Sequence, residues 1–182
     1  MMHPKKWLMF LINLVGGSAV LGSYAYGALT HPNASQILWG GVPQSIRPFY
    51  TGGMFLAAAG YFAFTYFILF RLNPIKTQVT RRFGFGLFNA LYAAILFPSA
   101  LWMPLTFLAI EQSSLALLWL VRIVLVGVGS ASLGLFAALL KVQPRQPVWA
   151  HRMALLGSVV FCLQTVLLDA ILWGGAMGLC LP

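Results

Sequence analysis

Five apolar runs, each long enough to cross a bilayer as a helix, take up most of this chain and leave it few ways to fold. They cover Trp7–Leu29, Phe49–Phe70, Phe83–Phe107, Leu115–Leu140 and about Met153–Trp173. A hydrocarbon core about 30 Å thick requires about 20 helical residues, and lipid offers no partner for an unpaired backbone group, so continuous apolar runs read as transmembrane helices. The runs do not alternate, and turns are too few for a β-barrel. Composition agrees: of 182 residues, 60% are hydrophobic and 7% charged, where a soluble domain carries about 25% charged. The expectation is an all-α polytopic membrane protein, a five-helix bundle forming a single transmembrane domain over residues 1–182. A soluble enzyme and a disordered chain are excluded.

The net charge of +9 would suit nucleic acid if it were spread over one soluble face. It is instead sorted by loop. Lys5, Lys6, Arg71, Lys76, Arg81, Arg82, Lys141, Arg145 and Arg152 fall at one end of the bundle, while Arg47 stands alone at the other. That asymmetry is the positive-inside bias, and it predicts a cytoplasmic N-terminus and a C-terminus on the outer side. Nucleic acid is therefore not an expected partner; the lipid bilayer is, with some attraction to anionic headgroups. Residues Met1–Lys6 followed by an apolar run resemble a secretory leader, but the run exceeds a usual h-region and reads as the first span. Cys162 and Cys180 are too far apart along a helix for a disulfide and read as packing residues.

The first loop of the charge-poor end, Thr30–Pro48, is the longest connection. Its Trp39, Pro43, Arg47 and Pro48 suggest an ordered cover over the bundle. Small residues mark where helices should touch: Gly16, Gly17, Gly22 and Gly27 in the first span, Gly53 and Gly60 in the second, Gly127 and Gly134 in the fourth. Such stripes let backbones approach closely, within the monomer or across a homodimer interface.

Histidines sit at the span edges (His3, His31, His151), which argues against a membrane b-type cytochrome. The chain has only two carboxylates, too few for paired acid–base catalysis. Nothing in the sequence supports an enzymatic activity, and it gives no cofactor. Two ionisable residues fall inside apolar runs, Arg122 and Asp169. Helical rise places them within about 4 Å of the same depth on consecutive helices, and a lone charge at that depth costs a few kcal/mol. An Arg122–Asp169 ion pair is therefore expected. Trp7 and Trp149 mark the basic interface. Trp39, Trp102, Trp119 and Trp173 gather toward the other, as an aromatic belt or as walls for a flat ligand. Pro98, interior to the third run, predicts a kink or widened turn over Ala94–Pro98.

Several of these residues fall in short motifs. Trp102-Met103-Pro104-Leu105-Thr106-Phe107 resembles the W-x-P-x-x-F ending of the third helix in the translocator protein family, the tryptophan-rich sensory proteins. Leu168-Asp169-Ala170-Ile171-Leu172-Trp173 is similar to that family's fifth-helix L-N-x-x-[IV]-W, with aspartate in place of asparagine. Trp39-Gly40-Gly41-Val42-Pro43 and Gly60-Tyr61 resemble its first loop and second helix. The fifth-helix Pro-Tyr-x-x-Trp is missing: Gly157, Ser158 and Phe161 occupy that stretch. Ser99 replaces an expected asparagine, and Arg122 has no counterpart. The resemblance, over about residues 39–173, implies a five-helix bundle with a pocket opening toward the first loop and a flat apolar ligand such as a tetrapyrrole, sterol or isoprenoid. The expected ligand-binding residues are Trp39, Trp102, Trp119, Arg122, Asp169 and Trp173. The alternatives are an accessory subunit of a larger membrane complex and a small carrier.

Overall fold

The computed structural model describes residues 3–39 and 41–177, apart from the side chains of residues 35, 37 and 177. Gly40 of the first-loop motif and Cys180 lie outside the described residues. The chain forms α1 (Pro4–Thr30), a short α2 (Ala34–Trp39), α3 (Arg47–Tyr66), α4 (Gly86–Glu111), α5 (Leu115–Lys141), α6 (Val148–Cys162) and a terminal α7 (Gly174–Met177). Two π-helical segments extend these elements: Phe67–Arg71 continues α3, and Leu163–Trp173 joins α6 to α7. Five of the resulting rods are long and apolar enough to span a membrane.

Helix ends follow local chemistry. Proline in the first turn starts α1 and α3, where the missing N–H has no intrahelical partner to lose. The Ser114 hydroxyl accepts from Leu117 N–H to cap α5. The fifth rod begins at Val148, earlier than its hydropathy suggests, because Pro147 opens it and Ala150 and His151 of its first turn are buried against neighbours. His151 is therefore inside the helix and buried, with Nε2 bonded to Leu139 O at 2.9 Å and its ring edge-on to Phe67. Conversely α4 starts at Gly86, since Phe85 folds into the core from the preceding loop.

Each helix buries a narrow stripe and turns large apolar residues such as Leu21, Phe55 and Phe62 outward, as a lipid-solvated bundle must. The main contacts run α1 on α4, α4 on α5, α5 on α6 with its π segment, and α6 on α3. Tyr61 OH donates to Asn13 Oδ1 and links α3 to α1 across the remaining side. At the α3–α6 crossing the two backbones meet. A Cβ on Gly60 would lie 2.4 Å from Gly157 O, and one on Gly157 would lie 2.7 Å from Gly60 O. Gly16, Gly27, Gly53 and Gly134 likewise face neighbouring side chains, whereas Gly17, Gly22 and Gly127 have open space around them.

The core has two large parts and a small third cluster of Ala34, Met103 and Phe107. One fills the basic half around Met9, Phe64, Phe67, Phe88, Tyr92, Leu135 and Leu139. The other fills the opposite half around Val42, Tyr50, Leu118, Val121, Leu125 and Trp173. Of the kink or widened turn expected over Ala94–Pro98, the widened turn is not there, since α4 keeps its α register through both Pro98 and Pro104. Beside Pro98, the Ser99 hydroxyl donates to Ile95 O at 2.6 Å. The π turns occur instead in α3 and α6, which contain no proline at those points.

Candidate functional site

The second core, under the first loop, holds most of the chemistry available inside the bundle. The loop is folded: α2 lies over the helix ends, and Trp39 packs edge-on to Tyr50 with ring centroids 5.4 Å apart. Arg47 lies over the Trp39 ring, 5.5 Å from its centroid, and donates from Nε to Val42 O. Trp173, only 3% exposed, donates from Nε1 to Leu38 O at 2.7 Å and so ties the end of the fifth rod to the loop. Trp102 meets Trp173 edge-on at 5.4 Å. Tyr24 of α1 stands edge-on to Trp102 at 6.2 Å.

Asp169 sits among these rings. Its Oδ1 accepts from Tyr50 OH of α3 and, at 2.9 Å, from Gln164 Nε2 of its own segment. The second bond depends on the π register. In an α-helix residues five apart point about 140° away from one another, but i→i+5 bonding brings them onto one face. The same register lets Arg71 donate to Tyr66 OH in the shorter π segment. Gln164 Oε1 is buried with no hydrogen-bond partner, one of two such side-chain atoms among the described residues, the other being Asn89 Oδ1. Gly53 makes room for it, since a Cβ there would lie 2.6 Å from Gln164 Oε1.

The expected Arg122–Asp169 ion pair is not formed. Arg122 Nε donates to Gly174 O at 2.9 Å and its guanidinium lies 4.8 Å from the centroid of Trp119. The acidic side chain that does meet a basic one among the described residues is Glu111, whose Oε1 lies 2.9 Å from His31 Nε2. The depth argument assumed an α-helix throughout the fifth rod. The π segment turns Asp169 toward α3, where two neutral donors meet the carboxylate, and leaves Arg122 to satisfy a carbonyl at the helix end.

Of the six sequence-derived site residues, the structure groups Trp39, Trp102 and Trp173 in one cluster, with Asp169 bonded to Tyr50 of that cluster. Arg122 lies at its edge, and Trp119 is 59% exposed on the outside of the bundle. Sequence reasoning missed Tyr50, Gln164 and Tyr24. Gln164 carried a usable signal as the one amide side chain inside the fifth apolar run. It also missed the pair that closes α1 on α4, in which His31 stacks on Phe107 at 3.8 Å as well as meeting Glu111.

A second apolar feature lies elsewhere. A groove of about 290 Å³ opens on the lipid-facing side between α5 and α6, lined by Leu133, Phe136, Val159, Cys162, Leu163, Val166 and Leu167. It has no charged or hydrogen-bonding group other than the Cys162 thiol. The described residues contain no cluster of three or more metal-ligating side chains. No family model matches the chain, and comparison with curated proteins and with solved structures likewise returns no match.

Proposed function

We propose that the protein is a non-enzymatic membrane protein that binds a flat apolar ligand bearing a hydrogen-bond donor, under the first loop in the charge-poor half of the bundle. The observation that carries this reading is Gln164 Oε1, an unsatisfied acceptor buried beside the Asp169 carboxylate, which in turn is bonded to Tyr50 of the cluster that holds three indoles. A buried acceptor without a partner costs about 1–3 kcal/mol, and a ligand N–H or O–H would recover that cost. Trp102, Trp173 and Trp39 supply aromatic faces and edges for a ring system, and the Trp173–Leu38 bond makes the loop a latch. Trp119 and Arg122 would contact only a ligand that reaches the bundle edge. Tetrapyrroles carry inward N–H donors on a flat apolar ring and suit this set best; sterols and isoprenoid alcohols offer one hydroxyl.

The residues behind the translocator-protein resemblance support the same reading, because Trp102 of one motif and Asp169 and Trp173 of another converge here. The basic asymmetry supports a cytoplasmic N-terminus, which places the site in the outer leaflet half. A second reading, a subunit that packs against itself or a larger membrane complex, is favoured by Gly17, Gly22 and Gly127, which open toward lipid.

Titration of the purified protein with protoporphyrin, monitored by tryptophan quenching and by the porphyrin absorption band, tests the proposal. Saturable binding that weakens at least several-fold in Q164L and W173F supports it. Binding unchanged by both substitutions contradicts it, and co-purifying subunits with no porphyrin binding favour the second reading.

A further inference from the structure

The basic end carries a second built feature, in the loop between α3 and α4. Leu72, Thr77, Val79 and Phe85 are buried and anchor this loop to the basic-half core. Gln78 and Gln143 exchange backbone hydrogen bonds of 3.0 and 2.8 Å, which lock it to the α5–α6 connection. Val79 N–H and Thr80 N–H both donate to Phe83 O, and the Thr80 hydroxyl accepts from Phe83 N–H at 3.2 Å. Gly84 passes so close that a Cβ there would lie 2.9 Å from Thr77 O. This fixed loop borders a shallow, open cavity of about 270 Å³ lined by Lys76, Arg81 and Arg82 together with exposed Ile75 and Phe83.

The three cations have no partner among the described residues. Arg71 is held by Tyr66 and Trp149, and Arg145 by the carbonyls of Leu140 and Val142. The side chains of Lys76, Arg81 and Arg82, by contrast, make no hydrogen bond or ion pair among the described residues. Nor can a side-chain carboxylate reach them: the chain has only two, Glu111 and Asp169, both in the half of the bundle away from this loop. Three exposed cations on one rim, with no counter-ion among the described residues, leave their charge available to an anion from outside. Ile75 is 79% exposed and Phe83 54% exposed on the same rim, next to helix ends at membrane-interface depth. An occupant with an anionic head and apolar tails satisfies both parts of the rim.

We infer that this loop is a binding site for the phosphate headgroup of an acidic phospholipid in the leaflet on the basic side. The inference does not rest on the ligand reading of the other half. It selects these three residues from the nine cations of the basic end, so it goes beyond the general pull of a polybasic surface.

The test is native mass spectrometry of the full chain in detergent, titrated with dioleoyl phosphatidylglycerol or with dioleoyl phosphatidylcholine. Each cation near an anionic lipid is worth about five-fold in affinity, so K76Q/R81Q/R82Q is expected to lose at least about ten-fold for phosphatidylglycerol with little change for phosphatidylcholine. The control K5Q/K141Q/R152Q removes equal charge from the same end outside the cavity, and is expected to stay within about three-fold of wild type. Equal losses in both triple variants, or equal wild-type binding of the two lipids, would overturn the site. Displacement of phosphatidylglycerol by equimolar inorganic phosphate would assign it to a soluble anion instead and overturn the lipid assignment. The side chains are exposed and circular dichroism monitors folding. If the triple variant does not fold, R82E carries the test, and phosphatidylglycerol preference retained in R82E overturns the inference.

Discussion

Replacing Gly60 with alanine probes the contact that sets the whole site. Its new Cβ would stand 2.4 Å from Gly157 O and 2.9 Å from Gly157 Cα, about 1 Å inside ordinary van der Waals separation. Both obstructing atoms are backbone, so no side chain can swing aside and α3 must move off α6. A radial gap of 0.5–1 Å forfeits about a quarter to a half of each dispersion contact along the seam, and overpacking of this kind costs about 1–3 kcal/mol. Alanine's better helix propensity returns about 1 kcal/mol. Gly17 isolates that second effect, because nothing lies within 4 Å of a Cβ placed there. G60A should therefore be less stable than G17A by about 1–3 kcal/mol, with G17A equal to or slightly above wild type. The site should loosen as well. Gly53 lies seven residues before Gly60 and Gln164 seven after Gly157, so the same seam seats Gln164 against Gly53. SDS-induced unfolding from mixed micelles, followed by far-UV circular dichroism, gives the comparison. Equal stabilities for G60A and G17A would refute the close-crossing argument.

Four further outcomes follow from the geometry. Y50F and Q164L each remove a donor from the Asp169 carboxylate and should cost about 1.5–3 kcal/mol, but much less in a D169L background; additive costs in the double-mutant cycle would show that the bonds are not made. W173F deletes the Nε1–Leu38 bond, so amide hydrogen exchange over Ala34–Trp39 should quicken while exchange in α5 stays constant. E111Q should change stability by less than about 1 kcal/mol because Glu111 is exposed, whereas H31A should cost more through loss of the Phe107 stack; equal effects would contradict that division. In intact cells, with Cys162 and Cys180 replaced by serine, a membrane-impermeant thiol reagent should label Q112C and spare R82C; the reverse pattern would invert the proposed topology.

Much of the fold is legible in the sequence because a lipid solvent leaves few options. Five apolar runs can only be helices, and their lengths nearly fix the spans. Boundaries shifted where tertiary contacts absorbed polar residues: His151 enters α6 because Leu139 O and Phe67 receive its ring. The tryptophans of the site were legible as a group, since Trp39, Trp102 and Trp173 all lie near one end by simple counting. The carboxylate's partners were not. Counting 100° per residue points Gln164 away from Asp169, and no residue in Leu163–Trp173 announces a π register. The error in register carried the expected salt bridge with it. Pro98 did not widen the helix, because a proline signals a lost donor but leaves open whether the turn widens in response.

Photo-crosslinking of a photoreactive porphyrin or isoprenoid to the full-length protein, followed by peptide mapping, tests the binding claim most directly. The proposed site and the lipid-facing groove share the 162–167 stretch, so the peptides that separate them are those of Trp39 and Trp102 for the site and of Leu133 and Phe136 for the groove. The account predicts adducts near Trp39, Trp102 and Gln164–Trp173 that diminish in Q164L. Adducts confined to the lipid-facing groove at Leu133, Phe136 and Val159, unchanged by Q164L, would contradict it.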